Sequence, residues 1–175
     1  MRRAVDECDL VVTSGGASAG DYDYVTALVA REGTVLFDRI SMRPGKAVTF
    51  GLVNDVPFVG LSGNPAGAFI GFELFVRPAI RKMRGHSDLQ RPVQKARVQR
   101  DVKKRQDRRF YNRARVERDP AGELVATEAA TQNSAMLVDL HRGNCLLVVP
   151  DGLRGITAGD EAEVIRYDLP EGTVL

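Results

Sequence analysis

The sequence predicts an α/β domain followed by a small all-β domain. In the first half, short β-branched runs end in glycine-rich loops, and stretches with apolar residues at helical spacing follow, as in an open α/β sheet. After about residue 87 no helical period remains, and short strands alternate with turn signals. Because a polar, proline-containing stretch at 87–92 separates the halves, we expect domains at residues 1–87 and 88–175.

Composition indicates a water-soluble protein of a reducing compartment. Of the 175 residues, 43% are hydrophobic, and 25 basic against 23 acidic side chains leave a net charge of only +2. Cys8 and Cys145 lie far apart without ligand spacing, which excludes a disulfide framework or zinc site. No apolar run approaches the roughly 20 residues that span a bilayer, and the N-terminus does not have the pattern of a signal peptide. We therefore expect a cytoplasmic location and no membrane partner.

The first half contains an ordered series of predicted elements. A buried strand at 9–13 ends in a glycine loop, and a helix with its stop at Gly33 follows. The next strands are predicted at 34–40, 47–52 and 57–61, the last two joined around Asn54 and Asp55. A helix should begin at Pro65, after the N-cap candidate Asn64, and continue towards Met83 with an interruption at Pro78.

Three loops in this half follow predicted strands, at 14–23, 43–46 and 62–65. If the sheet is parallel, all three leave it at the carboxyl edge, where open α/β sheets bind ligands. Glycine lets backbone N–H groups approach a phosphate closely, and helix N-termini add partial positive charge. The pattern therefore favours an anion-binding edge.

Two pairs of charged residues near these loops are open to two interpretations. Arg43 and Lys46 bracket a Pro-Gly turn and can hold a tetrahedral oxyanion together, but a surface turn with solvated charges has the same spacing. Asp21 and Asp23 follow the glycine loop, where carboxylates can share Mg²⁺ with phosphates or simply cap a helix. The spacing alone decides neither case.

The segment 95–118 is rich in lysine and arginine, with Phe110 and Tyr111 among them, which raises the question of nucleic-acid binding. Its apolar residues alternate in the way expected for strands with basic solvent-facing sides. No recognised RNA- or DNA-binding signature accompanies the charge. We expect strands here and no nucleic acid.

Taken together, the three loops resemble one family. Residues 13–24 (TSGGASAGDYDY) look like the signature loop of the molybdopterin molybdenumtransferases, the MoeA/gephyrin family. Residues 42–47 (MRPGKA) resemble the Lys-Pro-Gly-Lys-Pro turn of that family, and 61–65 (LSGNP) its Leu-Pro-Gly-Asn-Pro loop. In the second half, 107–113 and 131–134 resemble its Gly-Arg…Arg and His-Gln-Gly-Ser segments. The resemblance thus covers nearly the whole chain.

The resemblance implies a fold and a set of partners. It implies a partial molybdopterin-binding open sheet of the MoaB/MogA type at 1–87, without its N-terminal strands, and a β-barrel of the MoeA type at 88–175. The implied partners are a second copy of the chain or the N-terminal part of the family protein.

The resemblance also implies an activity, the insertion of molybdate into adenylylated molybdopterin with release of AMP, assisted by Mg²⁺. It assigns catalytic roles to Asp23 and Lys46 and metal binding to Asp21 and Asp23. The residues matching the molybdate pocket are Arg43, Lys46, Arg113 and Ser134. The residues matching the pterin and phosphate site are Ser14, Gly15, Gly16, Ser18, Gly20, Gly63, Asn64 and Pro65.

The chain departs from the family pattern at several of these positions. Arg43 stands where lysine is usual, which keeps the charge but changes its reach and hydrogen-bond geometry. The other departures are Ala47 and Ser62 for prolines, Asn133 for glycine and Ala135 for histidine. A non-catalytic scaffolding role therefore remains an alternative. A molybdopterin adenylyltransferase is a further one, although the loop at 14–18 and residues 88–175 argue against it.

Overall fold

The computed structural model describes residues 1–16, 24–133 and 138–174. The chain divides into two compact units, Met1–Ser41 with Gly45–His86, and Met42–Pro44 with Ser87–Leu175. We call the first the α/β unit and the second the barrel unit. This division gives the short segment Met42–Pro44 to the barrel unit, although it lies inside the sequence of the other.

The α/β unit consists of a four-stranded sheet and its helices. Its elements are α1 (Arg2–Glu7), β1 (Val11–Ser14), α2 (Tyr24–Glu32), β2 (Thr34–Arg39), β4 (Ala47–Val53), β5 (Val56–Leu61), α3 (Pro65–Gly71), a π-helical segment (Phe72–Val76) and α4 (Arg77–Met83), with β3 (Met42–Arg43) belonging to the barrel unit. One apolar cluster includes Val29 of α2 and Phe58 of β5. Another joins Val48 and Leu61 of the sheet to Val76.

The sheet is mixed, so the condition of an all-parallel sheet, under which the three loops would share one edge, is not met. The strand order is β1-β5-β4-β2, with β1 parallel to β5 and β4 antiparallel to both of its neighbours. Asn54 and Asp55 have φ angles of 50° and 63°, as a two-residue hairpin turn requires, and this turn reverses the chain between β4 and β5. The loops after β1 and β5 still leave at the edge where β4 begins, since Val48 pairs with Leu61.

The long helix after β5 is irregular before Pro78, not at it. Residues Phe72–Val76 form a π-helical turn, in which the N–H of Arg77 donates to the carbonyl oxygen of Phe72, five residues earlier. Proline has no N–H to continue the α-helical ladder, and its ring crowds the carbonyl four residues before it. A widened turn directly ahead of Pro78 relieves that conflict.

The barrel unit is a closed five-stranded barrel with additions. Its further elements are β6 (Val93–Val98), β7 (Val102–Lys103), β8 (Arg109–Arg118), β9 (Leu124–Glu128), α5 (Val138–Arg142), β10 (Cys145–Val149), β11 (Gly155–Ile156) and β12 (Glu161–Arg166). Strands pair in the order β10-β12-β6-β9-β8, and β8 pairs back onto β10 to close the barrel. The two-residue strand β3 adds to β8 in parallel. The α/β and barrel fold classes are thereby confirmed.

The apolar core of the barrel is formed by side chains at alternate positions along its strands. Phe110, Ala114 and Val116 of β8 pack with Ala126 of β9 and with alternate residues of β10. The strands expected in 95–118 are present, and they carry seven of its basic residues, whereas Arg100, Lys104, Arg105 and Arg108 lie in the connections between strands. The helix α5 was not expected in this half, because five residues are too few to show a helical period. Within the described residues, no helix is long and apolar enough to cross a membrane.

Candidate functional site: glycine loops and a cationic cavity

The two glycine loops of the α/β unit meet at its sheet edge. The N–H of Gly15 donates to the carbonyl oxygen of Leu61 at 3.0 Å, and the hydroxyl of Ser14 donates to the carbonyl oxygen of Ser62 at 3.4 Å. Gly15 has a φ of 90°, and a side chain at Gly63 would bring its Cβ to 3.1 Å from the Cα of Gly15. Glycine at both positions therefore allows the two backbones to approach closely.

The loop after β5 is held by side-chain caps. The side-chain oxygen of Asn64 accepts from the N–H of Gly67 at 3.4 Å, and Pro65 occupies the first turn of α3. The hydroxyl oxygen of Ser62 accepts from the N–H of Asn64 at 3.2 Å. The expected helix start at Asn64 and Pro65 is therefore present.

A cavity of about 340 Å³ lies within the barrel unit. Of the residues that the structure describes, four cationic side chains line it, Arg43, Lys103, Arg105 and Arg113, together with one carboxyl group, that of Glu128. Arg43 comes from β3, whose pairing with β8 brings residue 43 beside Phe110. The formal charge of this lining is therefore strongly positive, which favours an anionic ligand.

Arg113 is the most buried of these cations, with 1% of its surface exposed. Its Nη2 donates to the carbonyl oxygens of Thr131 and Asn133 at 3.1 and 3.0 Å. Its backbone N–H donates to the side-chain oxygen of Gln132 at 3.0 Å, and the amide of Gln132 donates back to the carbonyl of Arg113. The bonds from Nη2 hold the guanidinium in place, and the two bonds with Gln132 hold the backbone of Arg113.

Arg43 is held differently. It is exposed, and its guanidinium carbon lies 5.3 Å from the centre of the Phe110 ring. The ammonium group of Lys104 lies 5.8 Å from the same centre and donates to the carbonyl oxygens of Arg108 and Pro150. The ring thus positions one cation of the cavity, and the buried Lys104 supports the strand ends around it.

Among the described lining residues, Glu128 alone brings a carboxyl group to the cavity. Its Oε1 accepts from the side-chain amide of Asn112 at 2.6 Å. Burial raises the pKa of Glu128 above its ordinary value, and the hydrogen bond from Asn112 offsets part of that rise. Among the described residues Glu128 forms no ion pair, although four cations share its cavity.

The structure brings two of the expected molybdate-pocket residues together, Arg43 and Arg113. Lys46 is exposed and belongs to the α/β unit. The expected site residues that lie outside the described residues are Ser18, Gly20, Asp21, Asp23 and Ser134. Within the described ranges, no group of three or more His, Cys, Asp or Glu side chains is arranged to hold a metal ion.

Sequence reasoning missed Lys103, Arg105, Asn112 and Glu128 as cavity residues. Lys103 and Arg105 were visible only as part of a basic segment. Asn112 had a usable signal, because it falls in the alternation of inward residues on β8 between Phe110 and Ala114. Glu128 likewise lies two residues beyond the core residue Ala126.

Comparison with known proteins agrees with both units. Residues 1–82 match the family model described as "Probable molybdopterin binding domain", and residues 95–167 match "MoeA C-terminal region (domain IV)". The chain is 35% identical over 166 residues to the molybdopterin molybdenumtransferase of Staphylococcus aureus strain COL, covering 94% of this chain. The chain belongs to the MoeA family. The family resemblance carried by the three loops is thereby confirmed.

Solved MoeA structures share the fold. A molybdopterin biosynthesis MoeA protein from Pyrococcus horikosii superposes with a TM-score of 0.78 at 25% identity, over 95% of this chain. A molybdenum cofactor biosynthesis protein from Pyrococcus furiosus gives a TM-score of 0.73 at 28% identity. The chain spans 39% of the length of the Staphylococcus aureus protein and 39% and 52% of the two archaeal chains.

Proposed function

We propose that this chain takes part in molybdenum cofactor biosynthesis by inserting molybdate into adenylylated molybdopterin, with release of AMP. The observation that carries the proposal is the barrel cavity, which concentrates four cationic side chains around about 340 Å³. Molybdate is a compact tetrahedral dianion, and fixed guanidinium groups bind such oxyanions through paired, charge-assisted hydrogen bonds. The cavity therefore fits the inorganic substrate.

Arg43 and Arg113 have complementary parts in this proposal. Arg113 is buried and fixed, so it costs little reorganisation when the anion enters. Arg43 is exposed and rests on Phe110, from which it can turn towards the anion. Ser134 and Lys46 are proposed as further molybdate ligands, with Lys46 also catalytic, on the family resemblance alone.

The glycine loops of the α/β unit are the proposed site of the organic substrate. Their close contact at Gly15 and Gly63 exposes backbone at the sheet edge, where a phosphate can be bound by N–H groups. Ser14, Gly16, Asn64 and Pro65 belong to the same two loops, and Ser18 and Gly20 continue the first of them in sequence. We therefore assign the pterin and its phosphates to these loops.

Mg²⁺ is proposed as the metal, with Asp21 and Asp23 as its ligands and Asp23 also as a catalytic residue. Carboxylate oxygens are the donors that this ion prefers, and the ion would neutralise the charge of the phosphate that leaves with AMP. A second copy of the chain, or the N-terminal part that the longer relatives carry, is the proposed partner. The cytoplasm is the proposed location.

Complementation tests the function directly. The chain is expressed alone, and also fused to the N-terminal part of an active relative, in a bacterial strain without its molybdenumtransferase, and a molybdoenzyme is assayed. We expect the fusion to restore molybdoenzyme activity and Arg43→Gln in the fusion to lower it at least about tenfold, as loss of a charged ligand to an oxyanion should.

Arg109→Gln is the matched control. Arg109 lies on β8 next to Phe110, is exposed, and pairs with Asp151 at 3.4 Å without lining the cavity. Activity should survive this change. Equal activity of the Arg43→Gln and unchanged fusions would contradict the proposed use of the cavity, and absence of rescue by a folded fusion would favour the scaffolding role.

A further inference from the structure

The cationic cavity contains one group of opposite character, the carboxyl group of Glu128. Glu128 is the last residue of β9, and it pairs with Ala114 on the neighbouring strand β8. Asn112 lies on β8 two residues before Ala114. Asn112 is buried, with 5% of its surface exposed, and falls between the core residues Phe110 and Ala114. The pair therefore forms a polar end to the apolar interior of the barrel.

The hydrogen bond from Asn112 determines which oxygen of this carboxyl group can carry a proton. The amide donates to Oε1 at 2.6 Å, so a proton taken up by the carboxyl group resides on Oε2. A neutral carboxyl group donates a hydrogen bond, whereas an ionised one only accepts. In a cavity that takes an anion, these two states have opposite effects on the ligand.

We propose that Glu128 determines when the cavity binds an oxyanion: the neutral carboxyl group donates a hydrogen bond to the anion, and the ionised carboxylate repels it. This inference rests on the proposed function, in which that anion is molybdate. Binding at a pH where free Glu128 is ionised then takes up one proton from solvent. No covalent bond forms or breaks.

The other charged side chains of the described cavity lining are all arginines and lysines. Arg43 comes from β3, Lys103 from β7, Arg105 from the segment after β7, and Arg113 from β8, and the lining residues of the 129–133 segment add no charge. Arginine and lysine stay protonated well above neutral pH. Of the described lining residues, Glu128 is thus the group whose titration changes the charge of the cavity.

Burial supports this behaviour. It raises the pKa of Glu128 towards neutrality, so that the neutral form persists at higher pH than for an exposed glutamate. An anion that accepts the proton of Glu128 raises this pKa further. Oxyanion affinity should therefore be highest below the pKa of Glu128 and fall as the pH rises through it.

The test measures the dissociation constants of molybdate and of sulfate by isothermal titration calorimetry between about pH 5 and 8, using the full chain. Sulfate remains a dianion throughout this range, so a change in its affinity reports on the protein. We expect the dissociation constant of each anion to rise with pH, by at most about tenfold per pH unit, which is the limit for one linked proton.

Three variants make the test specific. Glu128→Gln keeps the size and supplies a permanent donor, so its affinity should match the low-pH value at every pH. Asn112→Ala removes a hydrogen bond that lowers the pKa of Glu128, so the midpoint should move to higher pH. Glu117→Gln, at an exposed glutamate paired with Arg115, should leave the pH profile unchanged.

The outcomes separate this inference from the function on which it rests. Molybdate affinity that is independent of pH in the unchanged protein, or that keeps its pH dependence in Glu128→Gln, overturns the role of Glu128 and leaves the oxyanion site standing. Failure of the folded chain to bind molybdate or sulfate at any pH overturns both.

Discussion

The guanidinium carbon of Arg43 lies 5.3 Å from the centre of the Phe110 ring. Phe110 belongs to the barrel core and is 5% exposed, whereas Arg43 is exposed and comes from a part of the sequence more than sixty residues earlier. The buried aromatic ring therefore positions an exposed cation at the cavity. This contact connects packing inside the barrel to the proposed binding of molybdate.

Replacing this ring should weaken molybdate binding. In Phe110→Leu the cation–π contact is lost, which at a site of this exposure is worth about 0.5–1 kcal/mol, or a two- to fivefold higher dissociation constant. Titration calorimetry measures the dissociation constant of molybdate for the variant and for the unchanged protein. Phe58→Leu is the control, because Phe58 is equally buried in the α/β unit. Equal weakening in both variants would mean that general loss of stability, not the contact, is responsible.

Arg113→Lys should destabilise the barrel unit. A lysine does not reproduce the fork of the guanidinium that donates to the carbonyl oxygens of both Thr131 and Asn133, and losing hydrogen bonds from a charged donor costs about 2 kcal/mol. Chemical denaturation gives the free energy of unfolding. Arg115→Lys, at an exposed neighbour on β8, should change it by less than about 0.5 kcal/mol. A similar small change at Arg113 would show that the guanidinium does not hold the 131–133 segment.

The stability of the chain should depend on the ionisation of Glu128. Its pKa is raised in the folded state, so its contribution to stability is fully present below the unfolded pKa and is lost as the pH rises through the folded pKa. Glu128→Gln and the unchanged protein should therefore have similar unfolding free energies in acid, and the variant should be the more stable at pH 7. Thermal melts at several pH values measure the difference, and a difference that does not grow with pH would contradict this.

The two cysteines should react very differently. Cys145 is fully buried on β10, and burial raises the pKa of its thiol to about 12, so almost no thiolate is present near neutrality. Cys8 is exposed. A thiol reagent at pH 8 should therefore label one cysteine rapidly in the folded protein and the second only after unfolding. Rapid labelling of Cys145 would show that β10 opens readily.

Local signals predicted most of the α/β unit. The paired residues Asn54 and Asp55 indicated a two-residue hairpin turn, and Asn64 with Pro65 indicated a helix start, because in both cases the backbone geometry depends on a few adjacent residues. The pairing of β1 with β5 did not follow from such signals, because it joins residues that are far apart in sequence. The recognised hairpin turn makes β4 antiparallel to β5, so the sheet is mixed and the argument that assumed parallel strands does not apply to the loop before β4.

The candidate site was harder to predict, because its parts are distant in sequence. Arg43 and Arg113 were singled out through the family resemblance, while their joint lining of one cavity depends on the two-residue strand β3 joining β8. A strand of only two residues is too short to show an alternating sequence pattern. No local sequence signal distinguishes Glu128, because its role depends on partial burial and on the hydrogen bond from Asn112 of the neighbouring strand.

The most direct test of the central claim is to locate molybdenum in crystals of the chain soaked with molybdate, using anomalous scattering at the molybdenum absorption edge. We predict a peak in the barrel cavity, within hydrogen-bonding reach of the guanidinium groups of Arg43 and Arg113 through the molybdate oxygens. A peak elsewhere, with the cavity left without one at a molybdate concentration that titration shows to be saturating, would contradict the account.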